Sequence, residues 1–300
     1  MNPLVSIILP VYNGATTIQD SISSIISQSY TNFELIIIND GSTDKSLEKI
    51  QYFIDSRIFL LDQSNMGLAT TLNRGIAISK GKLIARQDQD DISMLSRIEK
   101  QVEKFMSNKN LVLLGTYGYK VDKNNKIINK LKFPVHNAEL QFISNFYNPF
   151  IHSSTMFRKK EFTECGGYSE DMDLQPPEDF NLWNRLKHYG EIQNLNEYLV
   201  KYKVSEDNMT NTYKNLIAAN YKMNVVNNLQ ITFSFSVDES ETFFNLQFMK
   251  NSYCPNNFRI KLLGKFICSS REWTNRHNKP RFHLYFYFKW IKMCLKVILK

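Results

Sequence analysis

The chain has 300 residues, 37 lysines and arginines against 29 aspartates and glutamates, and 43% hydrophobic side chains, enough for a packed core. A mean hydropathy of −0.35, without any apolar run of about 18 residues, excludes an ordinary transmembrane helix. The net charge of +8 is localised: residues 258–300 hold eleven basic side chains against Glu272, while the first 257 carry 26 basic and 28 acidic ones. This excludes a nucleic-acid-binding core and points to a C-terminal segment that meets something anionic.

The N-terminal "MNPLVSIILPVYNG" has neither a basic n-region nor a small-residue cleavage site, so it does not read as a signal peptide. Its "LVSIIL" (4–9) is a continuous apolar run of strand length, stopped by Pro10, Asn13 and Gly14. Thr16 and Gln19 have capping-box spacing, ahead of Ile18, Ile22, Ile25 and Ile26 on one helical face. "FELIII" (33–38) is a second strand, closed by "NDGSTD" (39–44) and a short helix marked by Leu47 and Ile50. "RIFLL" (57–61) is a third, and Leu68, Leu72 and Ile76 space a helix ended by Gly81. "KLIA" (82–85) follows as the fourth strand. Strands apolar on both faces, alternating with helices, predict a parallel sheet covered on both sides, with ligands beyond the carboxyl ends of its strands.

Farther on, "LVLLGTYGYKV" and "KIINKLKF" read as strands around a turn at Lys123–Asn125. "STMFRK" (154–159) is another strand, and "EDFNLWNRLKHYG" (178–190) an amphipathic helix stopped by Gly190. From about Asn215 the pattern is helical. Four widely spaced cysteines, Cys165, Cys254, Cys268 and Cys294, form no CxxC pair and read as reduced thiols.

Two acidic groups invite chemistry. "KLIARQDQDDIS" crowds Asp88, Asp90 and Asp91 behind the fourth strand. A solvated loop explains them, and so does a hard divalent cation held by oxygen ligands that otherwise repel. "PEDFNLW" puts Glu178 and Asp179 in a first helical turn, as macrodipole partners or as a general base. Asp40, at the end of the second strand, is either an Asx-turn cap for the next helix or an acceptor for a base or ribose hydroxyl. His152 alone is more simply structural. Arg86 and Arg97 are explained by solvated ion pairing with the acidic cluster, "GGY" (166–168) by a turn, and Trp183 by the core.

Taken in order, "VSIILPVYNG", "FELIIINDGSTD", "NMGLATTLNRGIAISKGKLIARQDQDD", "HSSTMFRK", "GGY" and "EDFNLWNRL" resemble the family-2 glycosyltransferases of the GT-A fold, over about residues 3–210. The resemblance implies an α/β fold with a mainly parallel central sheet. It divides the chain into a catalytic domain, 1–214, and a helical C-terminal region, 215–300. It implies nucleotide-sugar contacts at Pro10, Tyr12, Asn13, Asp40, Asn65, Gly67, Asn73, Arg86, Asp88 and Gln89, with Gly14 in the loop bordering the nucleotide. The DxD motif, Asp88-Gln89-Asp90, would hold Mn²⁺ or Mg²⁺ through Asp88 and Asp90, and Asp179 would be the catalytic base. His152, Glu178 and Trp183 are acceptor-site candidates. One departure stands out: "YKVSEDN" places Ser205 where many relatives have a histidine, leaving Glu206, Asp207 or water to substitute.

The implied reaction is inverting transfer of a hexose from a nucleotide sugar, expected to be a UDP-sugar, to a hydroxyl of a lipid-linked glycan in surface-polysaccharide assembly. A sugar-nucleotidyltransferase is the rival enzyme, but "PVYNGATT" has no basic residue for a triphosphate loop. A degenerate glycan- or nucleotide-binding module is the non-enzymatic rival. In the tail, "RFHLYFYFKWIKMCLKVILK" (281–300) spaces Lys289, Lys292, Lys296 and Lys300 opposite Trp290 and its apolar neighbours. That pattern suits an anionic membrane surface, at the inner face of the cell membrane, better than a docked helix with solvated lysines.

Overall fold

A computed structural model describes residues 2–171, 177–204, 214–248 and 265. The first apolar run becomes β1 (Val5–Val11), buried along its whole length. It pairs in parallel with β2 (Phe33–Asp40) and β4 (Leu83–Arg86), and β2 pairs in parallel with β3 (Ile58–Gln63). The crossovers are α1 (Ile18–Ile26), α2 (Ser46–Gln51) and α3 (Leu68–Ile78). Pairing of β1 with β4 ends at Ile8–Arg86, two residues before Pro10, so the missing proline N–H breaks no bond of that ladder.

Past β4 the chain forms β5 (Ile92–Ser93), α4 (Arg97–Ser107), β6 (Leu111–Val121), β7 (Ile127–Leu131) and α5 (Asn137–Ile143). Then come β8 (Met156–Arg158), α6 (Lys159–Glu164), α7 (Glu178–Leu186) and β9 (Glu191–Lys203). One nine-stranded sheet runs β3-β2-β1-β4-β8-β6-β9-β5, with β7 attached to β6 alone. It is parallel from β3 to β4 and again in the β6–β9 pair. β8 runs antiparallel to both β4 and β6, as do β7 to β6 and β5 to β9. The sheet is therefore a parallel half joined to a mixed half. The core cluster joins β1, β2 and β4 to α1 and α4 through Ile7, Leu9, Ile22, Leu35, Ile37, Ala85, Ile98 and Phe105.

Two local expectations are corrected. α7 ends at Leu186, and Gly190 serves a close approach: a Cβ there would lie 2.4 Å from the Asn110 carbonyl oxygen on the way into β9. The capping box at Thr16 and Gln19 does not form, and α1 opens instead with Thr17 and Ile18 N–H donating to the Gly14 carbonyl, both at 3.0 Å.

The chain divides into two units, Met1–Ser144 with Asn148–Ile217, and Asn145–Tyr147 with Ala218–Lys300. The first carries the whole sheet. From Ala218 on, α8 (Lys214–Phe233) lies in the second, where it is joined to α9 (Val237–Phe248) through Lys222–Glu241 (3.3 Å), and Thr232 Oγ1 donates to Asn145 Oδ1 at 2.8 Å. No helix among the described residues is long and apolar enough to cross a membrane. Ser205, Glu206, Asp207 and the tail 281–300 lie outside the described residues, as do Cys254, Cys268 and Cys294.

Candidate active site

Because β1, β2, β3 and β4 run in parallel, Val11, Asp40, Gln63 and Arg86 end on one edge of the sheet. The loops leaving that edge are stitched together. Asn13 takes a left-handed φ of +50°, which its short polar side chain tolerates. Its N–H donates to Ser42 Oγ (3.0 Å), while its Oδ1 accepts the Thr43 N–H (2.8 Å). Gly14 N–H donates to Ser46 Oγ and Ala15 N–H to Asp44 Oδ2, at 2.8 and 2.9 Å. Gln89 closes a two-way bond with Tyr12, accepting its N–H (2.9 Å) and donating to its carbonyl (3.0 Å). Gly14 leaves room for that amide, since a Cβ would sit 2.5 Å from Gln89 Oε1.

Asp40 is buried, and its carboxylate accepts from Gln63 Nε2 (2.7 Å), Met66 N–H (2.8 Å) and Gly67 N–H (3.1 Å). It therefore fixes the loop that opens α3. The cap for α2 comes from Asp44, whose Oδ1 accepts the Ser46 N–H at 2.9 Å. Of the other donor-side candidates, Pro10 is buried within β1, while Tyr12, Asn13, Asn65 and Gly67 are exposed at this edge. Asn73 is committed elsewhere: it accepts the Tyr168 N–H (3.0 Å) and donates to the Tyr168 carbonyl and Glu170, both at 2.9 Å.

The arginines correct the solvated ion-pair expectation, since Arg86 and Arg97 are 1% and 0% exposed. Arg86 Nη2 donates to Asp88 Oδ1 at 2.6 Å and Nη1 to the Gln87 carbonyl, leaving Nε without a partner among the described residues. Arg97 donates to Gln87 Oε1 (2.9 Å), Ser93 Oγ (2.7 Å) and the Arg86 carbonyl (2.6 Å), which makes it a brace under the acidic loop. Gln87 is the hub of that brace, also reaching Ser21 Oγ (3.0 Å) and the Asp91 carbonyl (2.7 Å).

The three aspartates separate by burial. The Asp88 side chain is 30% exposed. Asp90 is partly exposed, and its carboxyl is pushed up to about 6, first by burial and then by the charge of Asp88. Asp91 is fully buried, accepting from Ser153 Oγ and from the Lys203 N–H (2.8 Å). Among the described residues no three His, Cys, Asp or Glu side chains gather as a metal group. Asp88 and Asp90 nonetheless offer hard oxygen donors whose mutual repulsion a divalent cation would relieve, so the pair fits such an ion.

The second half of the site comes from the mixed half of the sheet, through the short 3-10 helix His152–Ser154 ahead of β8 and the start of α7 ahead of β9. Asp179 is 8% exposed, and its Oδ2 accepts from Asn148 Nδ2 at 2.6 Å. Burial raises its carboxyl to about 6, with Asp88 adding to the rise while Asn148 and the Phe180 N–H oppose it. Glu178 goes higher, to about 7, because it is buried and carries Asp179 beside it. A chain of contacts runs back from it: Glu178 Oε1 to His152 Nδ1 at 3.6 Å, and His152 Nε2 to Tyr168 Oη at 2.8 Å. Burial and then Arg86 hold the imidazole well below its ordinary range, so it is neutral. Trp183 is fully buried against Phe150, His152, Phe157 and Tyr168, so it supports this wall and presents no face to an acceptor.

The charges of Asp88 and Arg86 act on both Glu178 and Asp179, so the structure brings the two acidic groups into one electrostatic field around a buried guanidinium. Sequence reasoning missed Gln87, Asn148, Ser153 and Tyr168. Gln87 stood inside the quoted acidic stretch, and Tyr168 inside "GGY". Asn148 carried no pattern at all.

Comparisons with known proteins point to one family. The family model described as "Glycosyl transferase family 2" matches residues 6–167. An uncharacterized glycosyltransferase of Haemophilus influenzae is 35% identical over 222 residues, covering 70% of this chain and 68% of the relative. The O-antigen biosynthesis glycosyltransferase WbnJ of Escherichia coli is 33% identical over 211 residues, covering 67% and 80%. Among solved structures, TarS 1–349 of S. aureus in complex with UDP-GlcNAc superposes with a TM-score of 0.59 at 18% identity, over 88% of this chain and 81% of that one.

Proposed function

The chain belongs to glycosyl transferase family 2, and from that premise we propose that it is an inverting, metal-dependent hexosyltransferase whose catalytic domain is residues 1–214. Its donor is a UDP-sugar and its acceptor a hydroxyl of a polyprenyl-diphosphate-linked glycan. The observation that carries this reading is the shared field around Arg86, in which the guanidinium and the charge of Asp88 act on both Asp90 and the buried Asp179. The UDP-GlcNAc complex of TarS and the O-antigen role in the name of WbnJ support the donor and the pathway class.

In this reading Asp88 and Asp90 would hold Mn²⁺ or Mg²⁺, which would supply charge neutralisation at the leaving diphosphate. The stitched loops around Tyr12, Asn13, Asp40, Asn65 and Gly67 cradle the nucleotide, and Gln89 keeps the acidic loop in register with Tyr12. Asp179 takes the proton from the acceptor hydroxyl. The alkoxide electrons form the new bond at the anomeric carbon while the bond to the diphosphate breaks on the opposite face, so configuration inverts once. Asn148 aims the Asp179 carboxylate. Glu178, about half protonated near pH 7, and the neutral His152 line the acceptor side, so together they add less than a full second charge. The protein works at the inner membrane face, with the basic segment 281–300 as one anchor.

The test is a panel of UDP-sugars offered with a polyprenyl-diphosphate-linked acceptor, in the presence and absence of Mn²⁺. We predict metal-dependent UDP release together with a one-hexose mass gain on the lipid. No UDP release from any donor, with or without acceptor, contradicts the assignment.

A further inference from the structure

The hairpin made by β6, β7 and their connecting turn takes no part in the site above. Between residues 120 and 132 it carries Lys120, Lys123, Lys126, Lys130 and Lys132 against one acid, Asp122. The first 257 residues as a whole have more acids, 28, than bases, 26, so this is a local concentration of positive charge. Asp122 is used internally, accepting the N–H groups of Asn124 and Lys126, both at 2.9 Å. Backbone bonds from Asn125 to Asp122 and from Asp122 to Lys126, both 3.0 Å, close the turn, with Asn125 at a φ of +62°. The tip is thus a built turn. None of the five lysines forms an ion pair among the described residues, and Lys130 Nζ lies 5.5 Å over the Tyr198 ring.

β7 pairs with β6 alone, and its first four residues are exposed. Ile127 and Ile128, adjacent and therefore on opposite faces of the strand, are 48% and 54% exposed. Two isoleucines in water beside a row of lysines is the pattern of an interfacial anchor: apolar side chains enter the acyl boundary while ammonium groups stay with the phosphates. A soluble polyanion would match the lysines but leave both isoleucines in water. We propose that the β6–β7 hairpin docks edge-on onto an anionic lipid bilayer. The hairpin is rooted next to the carboxylate site: Val121 accepts the Val204 N–H (3.0 Å) and pairs with Lys203, whose own N–H is held by Asp91. Docking therefore brings the rim of that site to headgroup level. The inference stands apart from the transfer reaction and from the tail.

The experiment is co-sedimentation of the full-length protein with vesicles of phosphatidylcholine alone and of phosphatidylcholine with phosphatidylglycerol. Replacing Lys123, Lys126 and Lys132 together by Gln is expected to weaken binding to the anionic vesicles on the order of 100-fold, about fivefold per lysine. Ile127→Ser with Ile128→Ser is expected to weaken it about tenfold. Thermal melting and UDP binding should be unchanged in both. Should the lysine variant melt early, the isoleucine variant decides. Wild-type vesicle affinity in the isoleucine variant overturns the proposal. So does equal binding of the wild-type chain to neutral and anionic vesicles, or loss of heparin binding in the lysine variant with vesicle binding intact.

Discussion

The two acidic pairs of the site hold similar like charge in opposite surroundings. Asp88 and Asp90 sit on a loop, partly exposed, with Arg86 already on one Asp88 oxygen. Glu178 and Asp179 sit in the first turn of α7, 7% and 8% exposed, with Asn148 on the Asp179 carboxylate. An open pair is relieved by an ion that arrives from solvent. A buried pair is relieved by keeping a proton, and their carboxyls accordingly rise to about 7 and about 6. Burial lifts Asp90 to about 6 as well, so what separates the pairs is access: Asp88 and Asp90 are partly open to an ion from solvent, whereas Glu178 and Asp179 are not.

The contrast breaks most visibly at Asp179. Asp179→Asn should lose about 100-fold or more in turnover, the scale for a removed base, measured by UDP release under saturating donor. Near wild-type turnover would mean another base, with Glu178 next in line. The same variant should be more stable than wild type at pH 8. Raised folded-state carboxyls contribute stability that is present below about pH 4 and lost as pH rises through about 6 to 7. Melting curves should show a gain on the order of 1 kcal/mol at pH 8 that vanishes by pH 4.

A pH profile sharpens the same point. With Asp179 as the base, kcat/KM should fall about tenfold per pH unit below about 6, the value its burial sets. A flat profile from pH 7 to 5 excludes it. The third aspartate gives a further contrast. Asp91→Ala strands the buried Ser153 hydroxyl and Lys203 amide, so it should cost about 1–3 kcal/mol in denaturant melts while metal-dependent UDP affinity of the folded protein persists. Loss of that affinity at unchanged stability would move Asp91 into the ion site. The smallest effect belongs to Glu178→Gln. Because Glu178 titrates above Asp179, it is still protonated when Asp179 ionises, and the acid limb should stay near pH 6. A limb displaced by a full pH unit would show that the pair titrates in the other order.

Much of the parallel half was readable because its strands are unbroken apolar runs and its helices repeat isoleucine and leucine on one face. The mixed half was harder. β9, "EIQNLNEYLVKYK", pairs with both β6 and β5 and shows no clean alternation. α4 hid behind its charges, although Ile98, Val102 and Phe105 keep helical spacing and are buried. At the site, the aspartates announced themselves by crowding. Arg86 and Arg97 did not, because charged residues beside acids read as surface pairs and only three-dimensional burial shows them to be internal. Asn148 reaches Asp179 across 31 residues of chain, a contact that no local pattern encodes.

The most direct test of the central claim, that the open pair holds the ion and donor while the buried Asp179 moves the proton, is calorimetry of UDP binding with and without Mn²⁺. It compares wild type, Asp90→Ala and Asp179→Asn. Mn²⁺ is expected to strengthen UDP binding in wild type and in Asp179→Asn alike, and this Mn²⁺-dependent gain should disappear in Asp90→Ala. Unchanged metal-dependent binding in Asp90→Ala, or its loss in Asp179→Asn, would contradict the claim.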